Sequence, residues 1–254
     1  MFILEAGINH FGNLSETKIL TKFFLNSSFR NISFMIHSKN FYLKESKSNL
    51  NFELPYNFYK SLIDKCHKKN KRIGVSVCDL STYSEFRDLN FDFYKLLSIS
   101  INDFDLIKEL RKVKKKIYIS TGFGSSNSKI KKCIKNFGSK AKLEVLHTPM
   151  SYDSSNLSLN KIEFLKKKYN LPIGYSHHNN NQNTIYALSA YKPSTIFVYC
   201  KQLRKKNRVY PDNEHAFFID ELEKLKKDYN ECLKMHSLKK KFSKINIFKN
   251  KIKF

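Results

Sequence analysis

The chain has 254 residues, 41% of them hydrophobic, and carries a formal net charge of +25. That length is enough to bury a full core and falls where single α/β barrel domains commonly lie, so one domain is expected. There is no apolar run near the roughly 20 residues that span a bilayer, Glu5 interrupts the N-terminal MFILEAGI too early for a signal peptide, and five cysteines without a C-x-x-C pair fit neither a disulfide framework nor a zinc ribbon. These features predict a cytoplasmic protein without a membrane span.

The elements alternate in type along the chain. Short β-rich apolar runs occur at 2–8, 31–37, 72–77, 91–97, 116–120, 142–147, 171–176 and 194–199, each bounded by polar or turn residues. Between them lie amphipathic patterns. In 56–69, Phe58, Leu62 and Cys66 recur every four residues, with lysines on the other face. The stretch 101–113 opens with an Asn-Asp cap and sets Phe104, Ile107 and Leu110 on one stripe. A last helix is predicted over 215–229. Eight strands each followed by a helix predict a (β/α)8 TIM barrel, whose chemistry sits at the C-terminal ends of the strands. Polar residues do collect there, at Asn9-His10, His37, Ser76, Ser98, Ser120-Thr121, His147-Thr148 and Ser176-His178.

Two segments interrupt the rhythm. Residues 38–55, rich in Ser, Lys and Asn, are long for a βα loop and are read as a candidate lid. The expected boundaries are 1–233 for the barrel and 234–254 for a basic tail that carries eight lysines and no acid. The charge invites a nucleic-acid reading, but only six of the 47 basic residues are arginine, the type that bidentate phosphate and base recognition favours. A lysine excess beside abundant Asn, Ile, Phe and Tyr is what an AT-rich coding sequence produces. Nucleic acid is therefore not the expected partner.

The stretch IGYSHHNNN, 173–181, ends an apolar run with two adjacent histidines. Neighbours on a strand point to opposite faces, so His177 and His178 cannot share one metal ion. If His178 is a ligand, its partner comes from elsewhere in the chain.

Several strand ends together resemble the sialic acid synthase family, which condenses phosphoenolpyruvate with N-acylated hexosamines to make nine-carbon ulosonic acids. The matching pieces are ILEAGINHFGN (3–13), FYKLLSISINDF (93–104), IYISTGFGS (117–125), LHTPMSY (146–152), LPIGYSHH (171–178) and YPDNEH (210–215), in the family's order. The resemblance implies a synthase barrel that acts as a homodimer, with a small antifreeze-like domain after it; the 21 residues after Leu233 are too few to form that domain. It also implies that Lys95, Ser120 and Ser176 hold phosphoenolpyruvate, with Ser76 where the family usually has threonine, because a buried dianion needs a cation and several hydroxyl donors. The plain structural alternative is a snorkelling lysine and helix-capping serines.

For the metal, the resemblance implies His178 as one ligand and, at strand eight, Cys200 where the family has its second histidine. Thiolate suits Zn²⁺ better than the Mn²⁺ or Mg²⁺ that the family implies. The alternative is a buried thiol and no metal. Glu5 is implied as the active-site acid for proton transfer, or as a buried ion-pair partner of Lys95. Asp212 matches a sugar-hydroxyl contact, and His10, His147 and Tyr152 are candidate mouth residues. Four positions depart from the family: Met35, Ser100, Met150 and Val198. They keep open a catalytically degenerate barrel that binds a phosphorylated or sugar ligand or partners an active synthase.

Overall fold

A computed structural model of the chain describes residues 1–37, 52–123, 125–202 and 208–236. Eight parallel strands, β1 (Phe2–Gly7), β2 (Asn31–Ile36), β3 (Arg72–Val77), β4 (Phe93–Leu96), β5 (Lys116–Ser120), β6 (Lys142–His147), β7 (Ile173–Ser176) and β8 (Ile196–Lys201), follow one another around a sheet in sequence order. Pairing of β1 with β8, from Phe2↔Ile196 to Glu5↔Tyr199, closes the cylinder. The described helices are α1 (Leu14–Asn26), α2 (Tyr56–Lys68), α3 (Leu80–Phe86), α4 (Phe104–Leu110), α5 (Asn127–Phe137), α6 (Lys161–Tyr169), α7 (Asn183–Tyr191) and α8 (Leu222–Met235). The molecule is a (β/α)8 TIM barrel, as the alternation of periods predicts. None of the described helices is long and apolar enough to cross a membrane.

Strands covered on both faces must be apolar on both faces, which is why the strand segments read as near-continuous hydrophobic runs. One face packs against the helices in the main core, with Leu4, Phe34, Val75, Tyr94, Ile117, Val145, Tyr175 and Val198. The other face fills the cylinder. Its floor is a separate cluster of Ile3, Phe93, Tyr118, Leu146 and Phe197 from five strands. The Tyr118 ring meets Phe93 and Phe197 edge-on at 5.7 and 5.1 Å between centroids. Side-chain caps start several helices just beyond the strand ends: Asn13 accepts from Ser15 N and Glu16 N, Asp79 from Thr82 N, Asp103 from Leu106 N and Ser126 from Lys129 N.

Two predicted helices are shifted. Residues 98–100 form a 3-10 turn and α4 starts at Phe104, capped by Asp103 of the predicted Asn-Asp pair. The stretch predicted as 215–229 begins instead with a short strand β9 (Phe217–Phe218), which pairs with Cys200 and Lys201 and delays α8 to Leu222. A local apolar pair followed a free strand edge rather than its helical period. Of the candidate lid, residues 38–51 lie outside the described residues, as do 237–254 of the predicted tail.

Gly74 of β3 makes room for the barrel floor, because a Cβ there would sit 2.2 Å from the Phe93 ring. Gly74→Ala is predicted to destabilise the protein by about 1–3 kcal/mol through overpacking. A second change, Phe93→Leu, should recover part of the loss. Urea denaturation of the two variants checks this; an unchanged midpoint for Gly74→Ala would show that the ring does not fill the floor.

Candidate active site at the barrel mouth

One layer above the apolar floor, the same inward positions become polar. Glu5 follows Ile3 on β1, Lys95 follows Phe93 on β4, Ser120 follows Tyr118 on β5, and Tyr199 follows Phe197 on β8, each two residues on. Glu5 and Lys95 are each 1% exposed, and Lys95 Nζ lies 3.5 Å from Glu5 Oε2. Ser76 Oγ donates to Glu5 Oε2 at 3.0 Å, the Gly7 amide donates to Glu5 Oε1 at 3.2 Å, and Lys95 Nζ donates to Ser176 Oγ at 3.3 Å. Ser33 Oγ extends the chain of contacts, 3.4 Å from Ser76 Oγ. The ammonium also lies 4.6 Å from the Phe197 ring centroid and 5.5 Å from that of Tyr199. Burial pulls the Lys95 ammonium below the ordinary lysine value, and the Glu5 carboxylate opposes that shift. Ser120 belongs to the same layer but pairs with Thr148 Oγ1, 3.1 Å away.

Above this layer lies a rim of histidines and one carboxylate. Gly7 has φ +51°, and a Cβ on it would sit 2.7 Å from Asp212 Oδ2, so the β1 turn and the loop after β8 meet closely. Asn9 fastens them. Its Oδ1 accepts from the Asp212 amide at 3.0 Å, and its Nδ2 donates to the Cys200 carbonyl at 3.0 Å. Burial first, and the Glu5 charge second, raise the Asp212 carboxyl to about 7. His178 Nδ1 is 3.1 Å from the Ser176 carbonyl. A carbonyl only accepts, so Nδ1 carries the proton and Nε2 the lone pair. The rings of His178, Tyr199 and His215 cluster, with centroids 5.0 Å apart for His178–Tyr199, 5.0 Å for His178–His215 and 4.7 Å for Tyr199–His215. Neither nitrogen of His215 has a hydrogen-bond partner, and its Nε2 is 3.7 Å from Asp212 Oδ1. Burial and the nearby Lys95 charge hold His178 well below its usual range and His215 at about 4. A cavity of about 200 Å³ opens over them, lined by Phe123, Met150, Ser151, Tyr152, His178 and His215.

Of the residues singled out in the sequence, Glu5, Ser76, Lys95 and Ser176 form one connected network, Ser120 stands in the same layer, and His178, Tyr152 and Asp212 stand at the rim. Of the two readings of Cys200, the buried thiol holds, and two mouth candidates, His147 and His10, are corrected. Cys200 is on the outer face of β8, in the main core with Ile196 and Val198, while Tyr199 is the residue that reaches His178. Burial pushes its thiol up, away from the thiolate that a metal needs. His147 also turns outward, its Nε2 2.8 Å from the Leu157 carbonyl and its ring against Tyr175. His10 is buried, with its Nδ1 accepting the Gly12 amide and its ring on Phe34, rather than lining the cavity. The adjacent histidines do diverge: His177 stacks on Phe217 at 5.4 Å between centroids, outside the cylinder. The pair His178–Cys200 thus does not fit a metal ion, and among the described residues no group of three or more His, Cys, Asp or Glu side chains is arranged to hold one. Sequence reading passed over His215 and Tyr199. His215 sits inside the YPDNEH motif, where the helical period of 215–229 masks its place beside His178.

The NeuB family profile matches residues 19–241. Over 248 residues the chain is 24% identical to the N,N'-diacetyllegionaminic acid synthase of Campylobacter jejuni, covering 89% of this chain and 74% of that protein. Over 191 residues it is 26% identical to an uncharacterized protein of Methanocaldococcus jannaschii, covering 69% of this chain and 54% of that one, so the match spans about half of that relative. Among solved structures, an N-acetylneuraminic acid synthetase from Leptospira borgpetersenii superposes with a TM-score of 0.85 at 23% identity, over 95% of this chain and 87% of that one. This last likeness shows the shared fold.

The buried ion pair makes a direct prediction. Lys95→Met leaves Glu5 charged and unpaired in a dry site and should cost about 3–5 kcal/mol of stability. The double variant Glu5→Gln/Lys95→Met should regain most of it. A double-mutant cycle from chemical denaturation measures the coupling; additive losses would mean that the two groups do not interact.

Proposed function

We propose, from the premise that this chain belongs to the NeuB family, that it condenses phosphoenolpyruvate with an N-acylated hexosamine to give a nonulosonic acid and phosphate. The observation that carries the reading is the position of Lys95: a buried ammonium at the closed end of the mouth, beside Ser176 and one layer below the cavity at His178 and His215. A phosphoenolpyruvate trianion needs such a cation, and hydroxyl donors on more than one strand, to offset its desolvation. Ser176, Ser120 and Ser76 are the donors in this reading. The legionaminic acid synthase of Campylobacter jejuni, similar over most of the chain, is a relative whose name states a reaction of this class.

In the proposed reaction the anion takes the place of Glu5 at Lys95. Released from the ammonium, the carboxylate retains Ser76 and the Gly7 amide and serves as the proton-transfer group. C3 of the enol attacks the sugar aldehyde carbon, and the carbonyl oxygen takes the proton that Glu5 removes from the attacking water. Water then adds at C2, and the C2–O bond breaks as phosphate leaves. Asp212 and Tyr152 face the sugar hydroxyls. A divalent cation, Mn²⁺ or Mg²⁺ by family resemblance, would be held by His178 and would supply polarisation of the aldehyde.

A second reading, a barrel without turnover that binds a phosphorylated or sugar ligand or partners an active synthase, is favoured by one observation. Lys95 and Glu5 neutralise each other away from solvent. Phosphate release from phosphoenolpyruvate, measured with a panel of N-acylated hexosamines and with Mn²⁺, Mg²⁺, Co²⁺ and Zn²⁺ in turn, separates the two. The synthase reading predicts release that needs both substrates and falls at least about a hundredfold in Lys95→Ala. Ligand binding without release under every combination would establish the second reading instead.

A further inference from the structure

We propose that His215, on the loop after β8, supplies the second imidazole of a divalent-cation site with His178, in place of any ligand from β8 itself. The inference deepens the synthase reading by assigning its metal, but it is tested by binding alone and does not need turnover. Strand β8 cannot provide the ligand, because its inward residues at this level are Phe197 and Tyr199 and Cys200 faces the helices. What stands beside His178 is His215, at 5.0 Å between ring centroids and tilted by 36°. Two imidazoles bound to one ion through nitrogens about 2.1 Å away have centroids about 5 Å apart when their bonds diverge by roughly 100°.

The nitrogens are also in the required state. His178 Nδ1 is committed to the Ser176 carbonyl, the outer hydrogen bond that fixes a ligating tautomer and leaves Nε2 with its lone pair. The His215 side chain is 9% exposed, and both its nitrogens are buried without a hydrogen-bond partner, an arrangement that calls for a ligand. Asp212 Oδ1 lies 3.7 Å from His215 Nε2, beyond hydrogen-bond range, and Asp212 Oδ2 is a buried oxygen without a hydrogen-bond partner. The Lys95 charge reaches both imidazoles, but Lys95 is paired with Glu5, and Asp212 sets a carboxyl beside His215. Two protein ligands leave the other coordination positions to water and substrate. An open site of this kind is consistent with the absence of a three-residue metal group among the described residues, and with ions that retain several waters.

The test is titration of the whole chain with Mn²⁺ by calorimetry and with Co²⁺ by absorption. His178→Ala and His215→Ala should each weaken binding by on the order of tenfold or more, His215→Gln should behave like His215→Ala while preserving the fold by circular dichroism, and Cys200→Ala should bind within about twofold of the parent, that thiol being outside the site. The Co²⁺ complex should show ligand-field bands without thiolate-to-metal charge transfer. The inference is overturned by a thiolate band that disappears in Cys200→Ala, by unchanged binding in both His215 variants, or by no binding of either ion at millimolar concentration. Binding that depends on His215, with no phosphate release under any condition, would sustain this site and remove the synthase reading.

Discussion

The ion pair of Glu5 and Lys95 is the constraint on which the interior depends. Two opposite charges, each 1% exposed, can be held in a barrel only where every remaining polar atom around them is matched. The matching groups come from β3, β7 and the last residue of β1, so the pair is satisfied only in a closed cylinder that brings those strands to one point. The ring floor below excludes water and strengthens every interaction in the layer above it. Above the pair stand two histidines held below their usual range and a carboxyl raised to about 7, the titratable groups of the rim.

This stacking explains why a small chain can carry so polar a mouth. Apolar side chains form the lowest layer, a self-neutralised ion pair the next, and titratable rims the last, so that desolvation cost falls as solvent is approached. The lysine-rich composition serves the same fold in places rather than a separate partner. Lys71 Nζ, for example, donates to the carbonyls of Phe24, Ser27 and Phe29 and closes the C-terminal end of α1.

The barrel itself was legible because alternation of period 2 and period 3.6 is a local signal: seven of the eight runs contain an observed strand, and the eighth, 194–199, overlaps β8, which continues to Lys201. So was the divergence of His177 and His178, which follows from strand geometry alone. Which of two adjacent residues faces inward was not legible at β8. Alternation gives two phases, and the choice is made by pairing with β1, where Glu5 lies opposite Tyr199 and carries it inward. The family resemblance therefore left Cys200 open between a metal partner and a buried thiol, and the inward phase of Tyr199 decides for the thiol. His215 was missed for a related reason: its position is set by β9 adding to the end of β8, a long-range contact that overrode the helical period of its own segment.

The central claim is that the buried Lys95 ammonium is an anion site held in readiness by Glu5. A crystal structure with phosphoenolpyruvate bound tests it most directly. The account predicts an anionic group of the ligand within hydrogen-bond distance of Lys95 Nζ and Ser176 Oγ, with Glu5 moved off the ammonium. Ligand seated among surface lysines, with the Glu5–Lys95 contact intact, would contradict it.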